Sequence, residues 1–296
     1  MAETARPTVA VAVVHYGDPA PTRGCLAAVA GDPSAVGRRI ALVDNSADFP
    51  PGDLLPGTLH LPCPDNPGFG AGANRGLAAL RADAAMDALV VLNHDVEILP
   101  GFLASAVEAL GPGVGAAAGP VWADRARSEL WSAGGALRRW TGTVVQSRDP
   151  RDAVTPRDVG FLPGAVFAAA PRAWDQVGGF DESIFLYHED VDLSLRLRRA
   201  GWRLRFAPGM GAVHHLGGAT GSQNRSPLYL EHLTATRLRP HRSRLYRLYL
   251  AVLHSGWVTV RSLHALAAGG PQGSAKAAAL WRGHLRALRG LGRQRP

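Results

Sequence analysis

Four short stretches hold residue types able to do chemistry together. The first is "VVLNHDVEILPGF", residues 90–102, where an apolar run meets Asn93, His94, Asp95 and Glu97 without a break. Asn93, Asp95 and Glu97 stand at alternate positions, so an extended chain puts them on one face and a following turn can converge them. Oxygen donors of this kind suit Mg2+ or Mn2+, hard cations that in turn hold phosphates. A strand end surfacing into water has the same local sequence. The second stretch is "GFDESIFLYHEDVDLSLRL", residues 179–197. Glu189 and Asp190 open a helix there, and a carboxylate so placed can take a proton from an attacking hydroxyl. The plain alternative is that the acids only cap the helix, with Asp192 paired to Arg196 one turn on.

The third stretch, "AVHHLGGATG" at 212–221, brings His214 and His215. One of them can complete a metal site with Asp95, and an imidazole among oxygen ligands favours Mn2+ over Mg2+. A structural or exposed histidine pair is the other reading. The fourth, "DNPGFGAGANRG" at 65–76, has glycines at 68, 70 and 72. It does not follow G-x-G-x-x-G and contains no G-K-[ST], so it is a poor dinucleotide or phosphate-loop signal. Small residues here instead let a helix N-terminus approach a ligand, or let the helix pack tightly on a sheet.

These groups need a scaffold, and the first half of the chain supplies alternating strands and helices. Strands are expected at 8–16, 39–46, 57–61 and 87–95, with helices over 21–30 and along "GAGANRGLAALRA". Such alternation implies a parallel α/β sheet. Ligands of such sheets bind beyond the carboxyl ends of the strands. Here those ends carry His15, Tyr16, Asp44, Asn45, Asn93 and Asp95. Several strands delivering polar groups to one edge weigh against a merely wet strand end. Further strands are expected in "VGAAAGPVW", "GTVVQS" and "VGFLPGAVFAAA", and a helix in "HEDVDLSLRLRRAGW" with acids in its first turn, where the macrodipole favours them. From 226 on, arginine-interleaved amphipathic segments predict two or three helices, broken by "GGPQGS" at 269–274.

Composition narrows the classes. Hydrophobic residues make up 46% of the 296, enough for a core, and no run reaches the ~20 apolar residues of a membrane span. The start lacks a signal peptide's charge layout, so a chain that stays in the cytosol is expected. Cys25 and Cys63 are far apart and read as buried small hydrophobes. The net charge of +8 is concentrated at the end, because no Asp or Glu follows Glu231 while twelve Lys and Arg do. A tail of this kind attracts a polyanion.

Taken in order, the valine strand ending at Tyr16, then "VDNS", "NPGFGAGANRG", "LNHD", "GGFDESIFLYHEDVDLSLRLRRAGW" and "VHH" resemble the family-two glycosyltransferases of the GT-A fold. The likeness is closest to the bacterial rhamnosyltransferase-like branch and covers residues 8–222. It implies a Rossmann-like GT-A domain over 1–222, with a mixed, mostly parallel sheet flanked by helices, and a basic amphipathic helical extension over 223–296. It implies an inverting transfer of a sugar, such as the deoxyhexose of dTDP-rhamnose, from a nucleotide-sugar donor to a hydroxyl of a glycan or lipid-linked acceptor. On this resemblance Asp44 reads the nucleotide base, and Asn93 and Asp95 form a D-x-D-type element with Asp95 on a divalent cation. Asp190 is the base, Glu189 beside it orients the acceptor, and Asn74 and Arg75 line the donor pocket with Tyr16 and Asn45 at the strand ends. His214, directly after Ala212-Val213, is the metal-binding histidine in preference to His215. Asn93 departs from the family's aspartate and removes one anionic ligand. His94 is expected to point into the sheet edge.

Two other classes compete. Another nucleotide-using enzyme, a nucleotidyltransferase or dinucleotide oxidoreductase, is weakened by the faulty glycine pattern. A non-catalytic basic module binding membrane or nucleic acid is weakened by the polar strand ends, and nucleic acid also by the lack of aromatics interleaved on a basic sheet face. The expected partners are therefore donor, acceptor and an anionic membrane on the inner face of the plasma membrane, and not nucleic acid. The sequence does not fix the oligomeric state.

Overall fold

The computed structural model of the chain describes residues 6–215 and 226–292. The expected domain boundary between residues 222 and 223, and Arg293 and Arg295 of the basic tail, lie outside those residues. In chain order the first half runs β1 (Thr8–His15), α1 (Pro19–Ala30), β2 (Gly37–Asp44), β3 (Thr58–Pro62), α2 (Phe69–Leu80), β4 (Ala88–Asn93), β5 (Val96–Ile98) and α3 (Phe102–Ala109). Short strands follow: β6 (Val114–Ala118), β7 (Val121–Trp122), β8 (Leu130–Ser132), β9 (Gly135–Arg138), β10 (Thr143–Gln146), β11 (Arg157–Val159) and β12 (Val166–Ala169). The rest comprises α4 (Pro171–Val177), α5 (Glu189–Arg199), β13 (Arg203–Phe206), β14 (Ala212–His214), α6 (Pro227–Thr236), α7 (Arg244–Ala267) and α8 (Gly270–Arg289).

β1 explains the layering. All of Val9 to Val13 are fully buried, and its side chains alternate between two cores. Val9, Val11 and Val13 pack with residues of α1 and α3, while Ala10, Ala12 and Val14 pack with those of α2, α4 and α5. A strand covered on both faces needs apolar residues at every position, which is why the sequence shows an unbroken run. The neighbouring strand β4 is covered in the same way, and truncating its fully buried Leu92 to Ala is expected to cost about 2–5 kcal/mol, read by chemical denaturation.

The main sheet has eight strands in the order β11-β13-β6-β12-β4-β1-β2-β3. β3, β2, β1 and β4 run parallel, as do β6 and β13. β12 runs antiparallel between β4 and β6, and β11 antiparallel at the edge. A second sheet, β5-β14-β7-β8, joins the acidic stretch to the segment ending in His214. The helix starts follow local chemistry. Asp18 accepts from the Ala20 N–H at 2.9 Å and Pro19 occupies the first turn of α1.

Two expectations are corrected. "VGFLPGAVFAAA" is not one strand, because Pro163 has no N–H to pair and Gly164 turns to serve another group, so only Val166–Ala169 is β12. The break expected over 269–274 is confined to Ala268-Gly269, since Pro271 sits in the first turn of α8, where a missing N–H loses no partner. The tail also turns part of its charge inward: Arg247 is buried and the Arg237 guanidinium lies 5.3 Å from the Trp257 ring.

α6, α7 and α8 pack into a unit around Leu230, Val258 and Leu280 and around Leu238, Leu250 and Ala287. Glu231 on α6 pairs with Arg282 and Arg286 of α8 at 2.9 and 2.8 Å. The same unit buries His241, His254 and His284. Burial, with Arg237 nearby, drives the His254 imidazole down from 6.5 to about 2, and His188 and His241 fall to about 3 and 4 for the same reasons. Their folded pKa values lie below the unfolded value, so their contribution is complete above pH 6.5 and is lost as pH falls below it. We expect a melting temperature clearly lower at about pH 5 than at about pH 7.5, with a shallower dependence in His254→Phe, by scanning calorimetry across pH.

Candidate active site

The carboxyl ends of β1, β2 and β4 meet at one edge of the sheet, with His15 in register with Asp44 and Val14 with Asn93. His15 is fully buried. Its Nδ1 lies 2.7 Å from Thr22 Oγ1, while Nε2 has no hydrogen-bond partner and stands 4.0 Å from Asp44 and 3.8 Å from Asp48. Burial first, then His94, lowers the His15 pKa and keeps the ring neutral. His94 packs edge-on against it, ring centroids 5.5 Å apart.

Asp44 is a filled acceptor. Its Oδ1 takes the Ser46 N–H and hydroxyl at 3.2 and 3.1 Å, and its Oδ2 takes the Phe49 N–H at 2.9 Å and faces His60 Nε2 at 3.3 Å. Against the cost of burial, these donors hold the carboxyl below its usual range. A carboxylate has about four acceptor sites, so a ligand N–H or a cation there must displace one, and the long His60 contact is the weakest. Among the described residues, His15, Asp44 and Asp48 form the group whose ligand atoms all lie within 4.8 Å of one another. Asp48 was not singled out from the sequence, although it falls four residues after Asp44 in the turn that follows β2.

The acidic stretch does not stay on one strand. β4 ends at Asn93, the chain turns at His94-Asp95, and β5 begins at Val96, so the three alternate groups part company. Asp95 is buried with its Oδ1 3.1 Å from His214 Nε2. Neither Asp95 Oδ1 nor His214 Nδ1 finds a hydrogen-bond partner. Two ligand atoms at that separation, unaligned for a hydrogen bond, match neighbouring ligands of an octahedral ion, which with bonds of about 2.1 Å lie about 3 Å apart. The donor set fits a divalent cation. Although burial alone would raise it, His214 and His94 keep the Asp95 carboxyl below its usual range. Glu97 belongs to a different pair. Arg125 grips it with two nitrogens at 3.0 and 2.6 Å, and His215 Nε2 stands 3.0 Å away. His214, the last residue of β14, thus goes to Asp95, and His215, just after the strand, to Glu97.

Glu189 and Asp190 begin α5, with Asp192 held by Arg196 Nε at 2.6 Å one turn on. The helix is preceded by two non-glycine residues in the left-handed region, Tyr187 at φ +64° and His188 at φ +66°. Such residues cost on the order of 1–3 kcal/mol each and persist where surroundings over-determine them. Here α6 supplies those surroundings: His188 Nδ1 lies 3.0 Å from Thr236 Oγ1, the Tyr187 and Tyr229 rings meet edge to face, and His232 lies against Phe185. Helix α6 therefore shapes the segment that delivers the acids. Asp190 accepts from the Gly164 N–H at 3.0 Å and its own neighbour Val191 at 2.8 Å. A Cβ on Gly164 would stand 2.9 Å from that of Asp190, which explains the glycine. Burial raises the pKa of both acids, and for Glu189 the Asp190 charge adds to it. The pair holds a proton more tightly than ordinary carboxyls. If Asp190 must be ionised to act, the acid limb of the rate lies above the usual carboxylate range, and activity falls as pH drops through it, as a pH–rate profile reports.

The Gly164-Ala165 dipeptide joins the two halves of the site. The Gly164 N–H reaches Asp190, and the next carbonyl, of Ala165, takes the Asn93 N–H at 2.8 Å. Of the other residues named from sequence, Asn45 donates to Gly68 O at 3.1 Å and Asn74 is braced against Phe180 and Glu182 at 3.0 Å. Arg75 forks onto Asp65 at 3.0 and 2.8 Å, and Tyr16 is half exposed at the end of β1. The glycines at and within α2 serve packing: Gly68, its N-cap, has φ +90° and a Cβ on it would come 2.3 Å from Phe185 O, while Cβ atoms on Gly70 and Gly76 would meet Phe180 at 2.9 Å and Val43 at 2.7 Å.

Residues 55–239 match Glycosyltransferase like family 2. The chain is 32% identical over 249 residues to N-acetylglucosaminyl-diphospho-decaprenol L-rhamnosyltransferase of Mycobacterium tuberculosis, covering 74% of this chain and 76% of that one. The chain belongs to the family 2 glycosyltransferases. A 40-residue segment is also 50% identical to the rhamnosyltransferase WbbL of Escherichia coli, 14% of this chain and 15% of that one. The fold matches that of a mannosyltransferase from Pyrobaculum calidifontis solved with GDP-Man and Mn2+, at TM-score 0.56 and 16% identity, over 96% of this chain and 88% of that one. It also matches GalNAc-T7 solved with UDP, GalNAc and Mn2+, at TM-score 0.59 and 14% identity, over 98% of this chain and 56% of that one. As a family 2 enzyme of GT-A fold, the chain is a sugar-transferring glycosyltransferase. The mixed, mostly parallel sheet that the family resemblance implied is the one observed, with β11 and β12 antiparallel.

Proposed function

We propose that the chain is an inverting glycosyltransferase that moves a deoxyhexose such as rhamnose from its nucleotide diphosphate to a hydroxyl of a lipid-linked glycan. The observation that carries this reading is the Gly164-Ala165 bridge, which sets the half-buried Asp190 carboxylate and the Asn93-Asp95 turn on either side of one dipeptide. Asp190 takes the proton of the acceptor hydroxyl as its oxygen bonds to the sugar's anomeric carbon. The bond from that carbon to the diphosphate breaks on the opposite side, so configuration inverts. Glu189, beside Asp190, orients the acceptor. Asp44, at the end of β2, faces the nucleotide base, with Tyr16 and Asn45 nearby and Asn74 and Arg75 bracing the wall.

Asp95 and His214 would hold Mn2+ or Mg2+, which as a Lewis acid neutralises charge on the departing diphosphate. The sugar and the lipid diphosphate are inferred from the mycobacterial relative's name and from the acid-free tail. A lipid-linked acceptor in turn places the chain at the inner face of a membrane, in synthesis of a cell-wall polysaccharide. In this reading residues 1–222 are the transferase domain and 223–296 its basic extension. The oxidoreductase alternative fares worse, because the α2 glycines are packed on protein where a pyrophosphate would have to lie.

The test is a panel of nucleotide-sugars with Mn2+, read by thermal shift and by slow donor hydrolysis. A deoxyhexose donor is expected to stabilise the chain and be hydrolysed. Absence of any response to every donor, with and without cation, would overturn the reading.

A further inference from the structure

Helix α7 is inside out. Its buried face carries Arg247, His254 and Ser262 among its apolar residues. Its outward face presents Leu245, Val252, Val260 and Leu263, exposed by 80, 74, 65 and 62%. Those positions fall at i, i+7, i+15 and i+18, close to whole numbers of helical turns, so they form one stripe. No Asp, Glu, Lys or Arg lies within that stripe. A surface helix of a water-soluble fold does the reverse, turning its apolar stripe to the core. The helix has 24 residues and so runs about 36 Å. No helix among the described residues is long and apolar enough to cross a membrane.

Two further features share this face. Trp140, 81% exposed, sits in the turn between β9 and β10 and is fixed beside α7 by the Tyr249 hydroxyl, which donates to its carbonyl at 2.9 Å. The Tyr246 hydroxyl donates to the Arg139 carbonyl next to it. Neither α7 nor α8 carries an acidic residue, while Arg244, Arg261, Lys276 and Arg289 stand on them.

That charge selects the occupant. A second copy would set one acid-free, arginine-rich tail against another and repel it. An anionic bilayer offers phosphates to the arginines and an acyl layer to the stripe, and tryptophan favours the boundary between them. We infer that the outward face of α7, with Trp140 beside it, docks on an anionic phospholipid bilayer, with the helix lying in the interfacial plane. This deepens the reading of a lipid-linked acceptor by naming the surface that brings the enzyme to it.

The full chain is tested by flotation with phosphatidylcholine vesicles and with vesicles containing about 30% phosphatidylglycerol. Wild type is expected to float with the anionic vesicles only. Val252→Asp combined with Leu263→Asp is expected to lower the floated fraction by about tenfold or more, and Leu245→Asp with Val260→Asp to do the same. All four sites are exposed, so circular dichroism and melting temperature stay at wild-type values. Failure of wild type to float with either vesicle overturns the inference. So does equal flotation of wild type and variants, or a wild-type dimer in light scattering that Val252→Asp splits. These readouts use neither donor nor acceptor, so they fail independently of the sugar-transfer reading, which a water-soluble acceptor tests alone.

Discussion

Asp190→Asn is expected to lower the transfer rate by about 10²- to 10⁴-fold, the usual range for a lost general base, with donor affinity and melting temperature near wild type. The amide is isosteric and its oxygen still accepts the Gly164 N–H, so the Gly164-Ala165 bridge to Asn93 survives. What disappears is the capacity to take a proton. Removing the Asp190 charge also relieves one cause of the raised Glu189 pKa, so Glu189 ionises more readily in the variant. Glu189 therefore cannot be counted inert in the mutant, and Glu189→Gln in the same background separates the two. Steady-state rates with donor isotherms make the measurement. A base acts on kcat and leaves donor affinity alone, whereas a helix-capping role would show as lost stability.

The second large effect is expected at Asp95. Asp95→Ala should reduce transfer by at least about 10²-fold, because it deletes the one carboxylate at a site whose cation would stabilise several kcal/mol of developing charge. It should also abolish stimulation by Mn2+. His214→Ala removes a neutral ligand and should act in the same direction with smaller effect, shifting the Mn2+ dependence to higher concentration. Asn93 supplies no anion, so the wild type itself should need more cation than an enzyme with two aspartates. Rates across a Mn2+ titration after chelation check all three. Activity indifferent to chelator, in wild type and Asp95→Ala alike, would remove the metal from the account.

Much of this site was legible because its signals are local. β1 and β4 announce themselves by apolar runs, since a strand buried on both faces has no polar side to alternate with. The start of α5 is visible because carboxylates favour a helix N-terminus. Asp192-Arg196 is visible because four residues make one turn. The rest depends on tertiary contacts. Nothing near Gly164 in sequence says that it gives its N–H to Asp190, or that the neighbouring carbonyl holds Asn93. Tyr187 and His188 carry positive φ without being glycine, which only the pressure of α6 explains. The alternation of Asn93, Asp95 and Glu97 was legible, but not the turn that sends Asp95 to His214 and Glu97 to Arg125. In the tail, interleaved arginines marked amphipathic helices without saying which face is covered, and in the fold Arg247 is buried while leucine and valine face outward. Sequence periodicity gives two faces of a helix and does not say which one the fold will cover.

The central claim is a single displacement at the anomeric carbon with Asp190 taking the acceptor proton. The most direct measurement is the anomeric configuration of the product by NMR, using the donor selected in the nucleotide-sugar panel and a soluble acceptor. The expected product is inverted relative to the donor, formed by wild type and nearly absent with Asp190→Asn. A product of retained configuration, or wild-type rates in Asp190→Asn, would contradict it.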